Sequence, residues 1–331
     1  MDPDKQLVRT QEDGQTNLAI GEPYFLHKHL HQFMEGGDKG PFKFPTYPNY
    51  KGDPVLLHEL EYRHPGLHVV VTNGAKQALL AAFYALKEAC IDRTVCHRTP
   101  LWPSYRTLVR LSGLSFLDDS SADIQVSTSP NNPDGSIEKK PVDVLDAAYA
   151  HEVYGWDGTF PSHEVSVWSA AKLLGLSGLR VGWLVTGDRT LADLAADYVE
   201  KTTSGVNVEA QRRIAWVLGG MSLAPAITTQ AYTAARVDLM KNGSFFNHWI
   251  APYCEVVDGL PHNGRGMFAW FKVKSPTQFR LALQKSKVLV VNGAACGMEE
   301  DGWFRMSMGH CPEFTRSALE NLADKLVKVA L

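Results

Sequence analysis

The constraint that weighs most on this chain is the order in which short apolar runs and helix-like segments follow one another. Residues 67–72 (Leu-His-Val-Val-Val-Thr) are rich in β-branched side chains and read as a strand. Asn73-Gly74 punctuates it. Ala75, Ala78, Leu79, Ala82, Phe83 and Leu86 then recur at helical spacing, with Lys76, Gln77 and Lys87 between them. Residues 123–128, 142–145, 165–168 and 180–185 read as further strands, each next to a polar motif. Strands alternating with helices in this way predict an α/β fold with a largely parallel sheet. From about Thr190 the pattern is helical, and residues 227–257 read as one long helix, interrupted near Asn242-Gly243, that could link two domains. Beyond it, strands at 266–273, 288–291 and 303–308 mix with helices at 277–285 and 314–329, which suits a smaller α+β domain. The expected division is an N-terminal segment (1–45) belonging to the small domain, a large domain (46–235) and a C-terminal small domain (236–331).

Composition narrows the classes of function. A chain of 331 residues that is 44% hydrophobic can bury one large core and a smaller one. A net charge of -3 gives no basic footprint for nucleic acid. No apolar run approaches the length of a membrane span, and the first residues lack a secretory apolar stretch. The five cysteines are scattered and odd in number, without a C-x-x-C pair, so a reducing cytoplasm is expected. Cys296, beside a glycine-rich turn, is expected to pack rather than react. His27 and His31 share a helical spacing around His29, but no third ligand accompanies them, and no metal site is expected.

The chemistry concentrates in Ser169-Ala-Ala-Lys172-Leu-Leu-Gly175-Leu-Ser-Gly178-Leu-Arg180-Val-Gly182-Trp183. A surface lysine would not need those small, glycine-rich, apolar neighbours. A lysine that forms a Schiff base would, because its amine must be positioned and kept partly neutral in a desolvated pocket.

The segment resembles the cofactor-lysine motif of the class I/II aminotransferases, enzymes of fold type I that use pyridoxal phosphate. The resemblance runs from Asn17 to the C-terminal helix. It implies a large domain with a mainly parallel sheet between helices, plus a smaller α+β domain formed by the two ends of the chain. Asn17-Leu-Ala-Ile-Gly21-Glu-Pro23 resembles the family's pocket-covering segment, which implies substrate contacts from Gly21 and Tyr24. Tyr47-Pro-Asn-Tyr-Lys-Gly52 resembles the motif whose tyrosine reaches the partner subunit's cofactor phosphate, so a homodimer is implied. Gly74, Ala75 and Lys76 open a helix after a strand, where backbone N–H groups and the helix dipole suit a phosphate. Trp102, in Pro100-Leu-Trp102-Pro-Ser-Tyr105, matches the aromatic face against the pyridine ring. Asn132, in Ser129-Pro-Asn-Asn132-Pro-Asp-Gly135, and Tyr149 match the partners of the phenolate oxygen. Asp146 matches the carboxylate that keeps the ring nitrogen protonated. Ser169 and Arg180 match further phosphate partners. Arg305, in Trp303-Phe-Arg305-Met-Ser-Met-Gly309, matches the arginine that takes the substrate carboxylate. Read singly, several of these motifs have plainer explanations: a tyrosine in a proline-rich loop, a strand-to-helix junction, a buried tryptophan, a turn.

Only ten residues separate Gly135 from Asp146, where aminotransferases usually carry a helix. That short link resembles the alliinases and the related plant tryptophan aminotransferases. It leaves one face of the sheet to be covered by another segment or a partner. The resemblance implies a ping-pong aminotransferase acting on an amino acid and a 2-oxo acid, with Lys172, Asp146 and Tyr149 at the chemistry. A β-eliminating lyase and a non-catalytic pyridoxal-phosphate binder are the alternatives. Tyr24-Phe25-Leu26 offers aromatic and apolar surface, and no motif places Arg9, Arg236 or Arg265 at a distal carboxylate. An aromatic or large apolar donor is therefore expected.

Overall fold

The computed structural model describes residues 15–19, 25–26, 29–30, 48–89, 94–118, 121–261 and 266–330. In chain order its elements begin with β1 (Thr16–Asn17), α1 (Pro54–Arg63), β2 (His68–Thr72) and α2 (Gly74–Ala89). There follow β3 (Thr94–Cys96), α3 (Tyr105–Leu111), β4 (Ser115–Leu117), β5 (Ile124–Thr128), β6 (Val144–Asp146) and β7 (Val165–Ser169). Next come α4 (Ala170–Leu173), β8 (Gly182–Thr186), α5 (Arg189–Thr203), α6 (Val208–Leu223) and α7 (Pro225–Trp249). The last part holds β9 (Cys254–Gly259), β10 (Phe268–Val273), α8 (Pro276–Ser286), β11 (Val288–Leu289), β12 (Val291–Asn292), β13 (Trp303–Ser307) and α9 (Pro312–Ala330).

A seven-stranded sheet runs in the order β2-β8-β7-β6-β5-β3-β4. Its pairs are parallel except where β8 meets β2 and β7. The alternation of side chains divides the core between the two faces. Val70, Val126, Val144, Val165 and Val167 pack with Leu79 and Phe83 of α2 and Leu191 of α5. Val69, Val71, Trp183 and Val185 face the other way, among Leu56 and Leu60 of α1 and Ile214 and Leu218 of α6. Local chemistry fixes the helix starts. Asp53 accepts from Val55 N–H ahead of Pro54, and Asp188 accepts from the N–H groups of Thr190 and Leu191. A second, antiparallel sheet of order β12-β13-β10-β9 supplies Phe268, Phe271 and Phe304 to a core shared with Phe246, Phe279, Leu319 and Leu322.

The short link between β5 and β6 contains no helix. The exposed side of β6 is covered from within the chain. Leu145, Ala147 and Ala150 pack under Trp156 and Trp168, and Phe160 closes on Trp156 at 4.5 Å and on Trp168 at 5.7 Å.

Two expected elements differ in the structure. The long helix ends at Trp249, not 257, and does not break at Asn242-Gly243. Asn242 is fully buried, and its Nδ2 donates to the carbonyls of Met308 and His310. A side chain that reads as a helix breaker is used here to tie α7 to the segment after β13. Residues 254–259 form β9 because β10 offers them a ladder. The run 288–291 also divides, with β11 pairing to β1 and β12 to β13.

Candidate active site

The chemistry-bearing side chains gather at the carboxyl ends of the parallel strands, where open α/β sheets present their ligand crevice. Thr128 closes β5, Asp146 closes β6 in direct register with it, and Ser169 closes β7. Ser169 also caps α4, its Oγ accepting from Ala171 N–H at 3.2 Å, so Lys172 sits on a rigid turn rather than a loose loop. Two tyrosines hold the last carbonyls of that turn. Tyr154 Oη–H donates to Lys172 O at 2.7 Å, and Tyr232 Oη–H of α7 donates to Leu173 O at 2.6 Å.

Asp146 is almost wholly buried. Tyr105 Oη–H donates to its Oδ2 at 2.8 Å and Ala148 N–H to its Oδ1 at 3.0 Å. Burial raises its pKa to about 6, against the pull of Tyr105, Ala148 and the Lys172 ammonium. From Lys172 a line of contacts leads to the second sheet. Its Nζ lies 5.8 Å from the Tyr149 ring, Tyr149 meets Phe268 edge-on at 5.8 Å, and the Arg305 guanidinium sits 4.4 Å over Phe268. Arg305 is 2% exposed; it donates to Asn132 Oδ1 at 2.8 Å and to Ala19 O at 2.6 Å, while its buried Nε has no partner among the described residues. A buried guanidinium with a donor to spare is an anion receiver.

The strand-to-helix junction is built by close backbone approach. Gly74 has φ +74, and a Cβ there would stand 2.5 Å from Arg180 Nη2. At Gly182 a Cβ would lie 2.6 Å from Gly74 C, 2.7 Å from Trp168 O and 2.8 Å from Ala75 N. The two glycines thus bring Arg180 and the opening turn of α2 together, a cationic guanidinium beside a helix N-terminus. Lys76 Nζ reaches Ser104 Oγ at 3.1 Å and lies 5.1 Å over the Trp102 ring, which meets Tyr105 edge-on.

The structure therefore brings together Gly74, Ala75, Lys76, Trp102, Asn132, Asp146, Tyr149, Ser169, Lys172, Arg180 and Arg305. Gly21, Tyr24 and Tyr47 lie outside the described residues, as do His27, His31, Arg9 and Arg265. His29 pairs with Asp238 at 2.9 Å, Arg236 donates to Glu152 O, and Cys296 is buried in a short 3-10 turn. The site also draws on Tyr105, Tyr154, Tyr232, His97 and Thr128, which no sequence motif singles out for a role. Only Tyr105 lies within a motif, as the last residue of the Trp102 segment.

The fold and this cluster define a class: the fold-type I superfamily of pyridoxal-phosphate-dependent aminotransferases and lyases. Within it, the chain belongs to the alliinase family, whose model, described as Allinase, matches residues 61–324. Tryptophan aminotransferase-related protein 2 of Arabidopsis thaliana is 32% identical over 248 residues, 64% of this chain and 56% of that protein. Alliin lyase of Allium cepa is 30% identical over 240 residues, 60% of this chain and 49% of that protein. The chain spans about half the length of the curated relatives it matches. In fold it is similar to the aspartate aminotransferase of Thermotoga maritima, with a TM-score of 0.72 at 22% identity, covering 97% of this chain and 94% of that one. Pyridoxal phosphate is the cofactor of this superfamily, and the residues present fit it. A buried carboxylate held partly ionised suits a ring cation, and the Gly74–Arg180–Gly182 junction suits a phosphate.

Proposed function

We propose that this protein is an aminotransferase that passes the amino group of an L-amino acid, preferably one with an aromatic or large apolar side chain, to a 2-oxo acid in a ping-pong cycle. The observation that carries this reading is the buried Arg305, whose spare Nε and stacked guanidinium are linked through Phe268 and Tyr149 to Lys172. An α-carboxylate on Arg305 turns the substrate's Cα toward the lysine.

Bound pyridoxal phosphate supplies an electron sink conjugated to that carbon. Asp146 keeps the ring nitrogen protonated, and Asn132 and Tyr149 hold the phenolate oxygen. Gly74, Ala75, Lys76, Ser169 and Arg180 hold the phosphate, and Trp102 covers the ring face. Lys172 Nζ would take the proton from the substrate's Cα and deliver it to the cofactor's C4′ carbon. Gly21 and Tyr24 bind the substrate, as the resemblance of residues 17–23 implies. Tyr47 of a second copy completes the phosphate site, which makes the working unit a homodimer; the scattered, odd-numbered cysteines support a cytoplasmic location. A stable, fully active monomer in sedimentation would overturn that part. The aromatic preference draws on Phe268 and Tyr149 near Arg305, and on the similarity to a tryptophan aminotransferase-related protein of Arabidopsis.

The alliin lyase relatives favour a second reading, β-elimination on the same residues. A screen of amino donors with and without a 2-oxo acid acceptor separates the two. Transamination turns the donor over to its own 2-oxo acid only when an acceptor is present, and without one it stops at one equivalent per bound cofactor. Pyruvate released catalytically from a cysteine conjugate without acceptor would replace the first reading by the second. Absent turnover with every donor would leave a protein that only binds the cofactor.

A further inference from the structure

Behind Asp146 runs a buried polar chain that the roles above do not use. We infer that His97 and Thr128 are positioning residues for the Asp146 carboxylate, fixing the direction of a line of hydrogen bonds that ends on Asp146 Oδ2. The inference rests on the reading of Asp146 as the ring's partner.

The direction of each bond follows from what each atom can do. His97 Nδ1 is 2.6 Å from the carbonyl oxygen of Arg98, which only accepts, so Nδ1 carries the proton. His97 Nε2 is then an acceptor, and Thr128 N–H donates to it at 3.2 Å. The ring is 4% exposed and burial lowers its pKa to about 4, so it stays neutral in this form. Tyr105 has one hydroxyl proton, and it goes to the carboxylate at 2.8 Å. Thr128 Oγ1 lies 2.6 Å from Tyr105 Oη and 3.4 Å from His97 Nε2, so with the Tyr105 proton on the carboxylate the shorter contact is Thr128 donating to Tyr105. Thr128 Oγ1–H to Tyr105 Oη–H to Asp146 Oδ2 runs one way, and His97 holds Thr128 by its backbone while lying 4.7 Å from the Tyr105 ring. A hydroxyl that accepts one hydrogen bond donates a stronger one. The line thus favours the ionised carboxylate against the burial that opposes it. The other titratable groups facing Asp146 are Lys172 from α4 and, through Tyr105, Tyr149.

A buried histidine that merely fills space would have none of this directionality, and the test is chosen to separate the two. Apoprotein is titrated with pyridoxal phosphate across about pH 5 to 8, and the pH at which affinity breaks is compared between variants. Thr128→Val keeps the shape and the backbone N–H but loses the hydroxyl. Its break should move up by about one pH unit, with affinity about tenfold weaker on the acid side. His97→Phe should move in the same direction, and Thr128→Ser should restore the parent's position. Thermal melting confirms that each variant is folded. An unmoved break in Thr128→Val, with the break abolished in Asp146→Asn, overturns the inference and leaves the Asp146 assignment standing. Equal shifts in the valine and serine variants would make the effect one of packing and overturn it too. A break that survives Asp146→Asn defeats the assignment of Asp146 itself.

Discussion

Replacing Asp146 by asparagine should stabilise the cofactor-free protein at neutral pH while removing most of its catalysis. Burial raises the pKa of this carboxyl from 3.8 to about 6, the hydrogen bonds from Tyr105 and Ala148 and the charge of Lys172 offsetting only part of that. The folded chain therefore holds this proton more tightly than the unfolded chain. The group's stabilising contribution is fully present below its unfolded value of 3.8 and is lost as pH rises through about 6. The interval between the two values corresponds to about 3 kcal/mol. Asparagine never carries the charge. It returns about 1 kcal/mol, because one amide oxygen cannot serve both donors as a carboxylate does. The variant should then be more stable than the parent by about 2 kcal/mol near pH 7.5, and this advantage should shrink by about 1 kcal/mol near pH 5, where the parent carboxyl is mostly protonated. Urea unfolding of both apoproteins at the two pH values reads the effect; holoprotein would add ligand stabilisation to the comparison. In the loaded protein kcat should fall by about a hundredfold or more, since a neutral amide cannot hold the ring nitrogen protonated. An asparagine variant less stable than the parent near pH 7.5, or an advantage identical at both pH values, would refute the burial argument.

Borohydride treatment of the loaded protein followed by peptide mapping should label Lys172; a label on Lys76 or Lys201 would move the covalent site. Gly182→Ala should destabilise the protein by about 1–3 kcal/mol in thermal or urea unfolding, because its Cβ would meet backbone atoms of Gly74, Ala75 and Trp168 that cannot swing aside. Its affinity for pyridoxal phosphate should fall as well, and a variant with parental stability and affinity would show that the junction can relax. Arg305→Lys keeps a charge but loses the planar fork, so KM for amino acids should rise by about a hundredfold, with a smaller change in kcat. Parental KM in that variant would place the carboxylate elsewhere.

By itself the sequence determined the alternation of strands and helices, and hence the α/β class, because hydrophobic period and glycine punctuation are local properties. It also placed Lys172, Asp146, Asn132, Tyr149 and Arg305 as candidates, since each sits in a short motif with its own chemistry. Tertiary structure decided what those motifs meet. The Asn242-Gly243 pair reads locally as a break, yet α7 runs through it because the Asn242 amide satisfies two carbonyls more than sixty residues away. The uncovered side of β6 could not be assigned from the short Gly135–Asp146 link; Trp156 and Phe160 fill it by packing. Tyr154 and Tyr232 support the lysine turn from distant segments, and nothing in their neighbours announces it. The arrangement of His97, Thr128 and Tyr105 behind Asp146 is the furthest from local reach. Each is an ordinary residue near a strand or helix end, and only the parallel register of β3, β5 and β6, with α3 packed beside them, joins them in one hydrogen-bonded line in a place too dry to leave any of them unpaired.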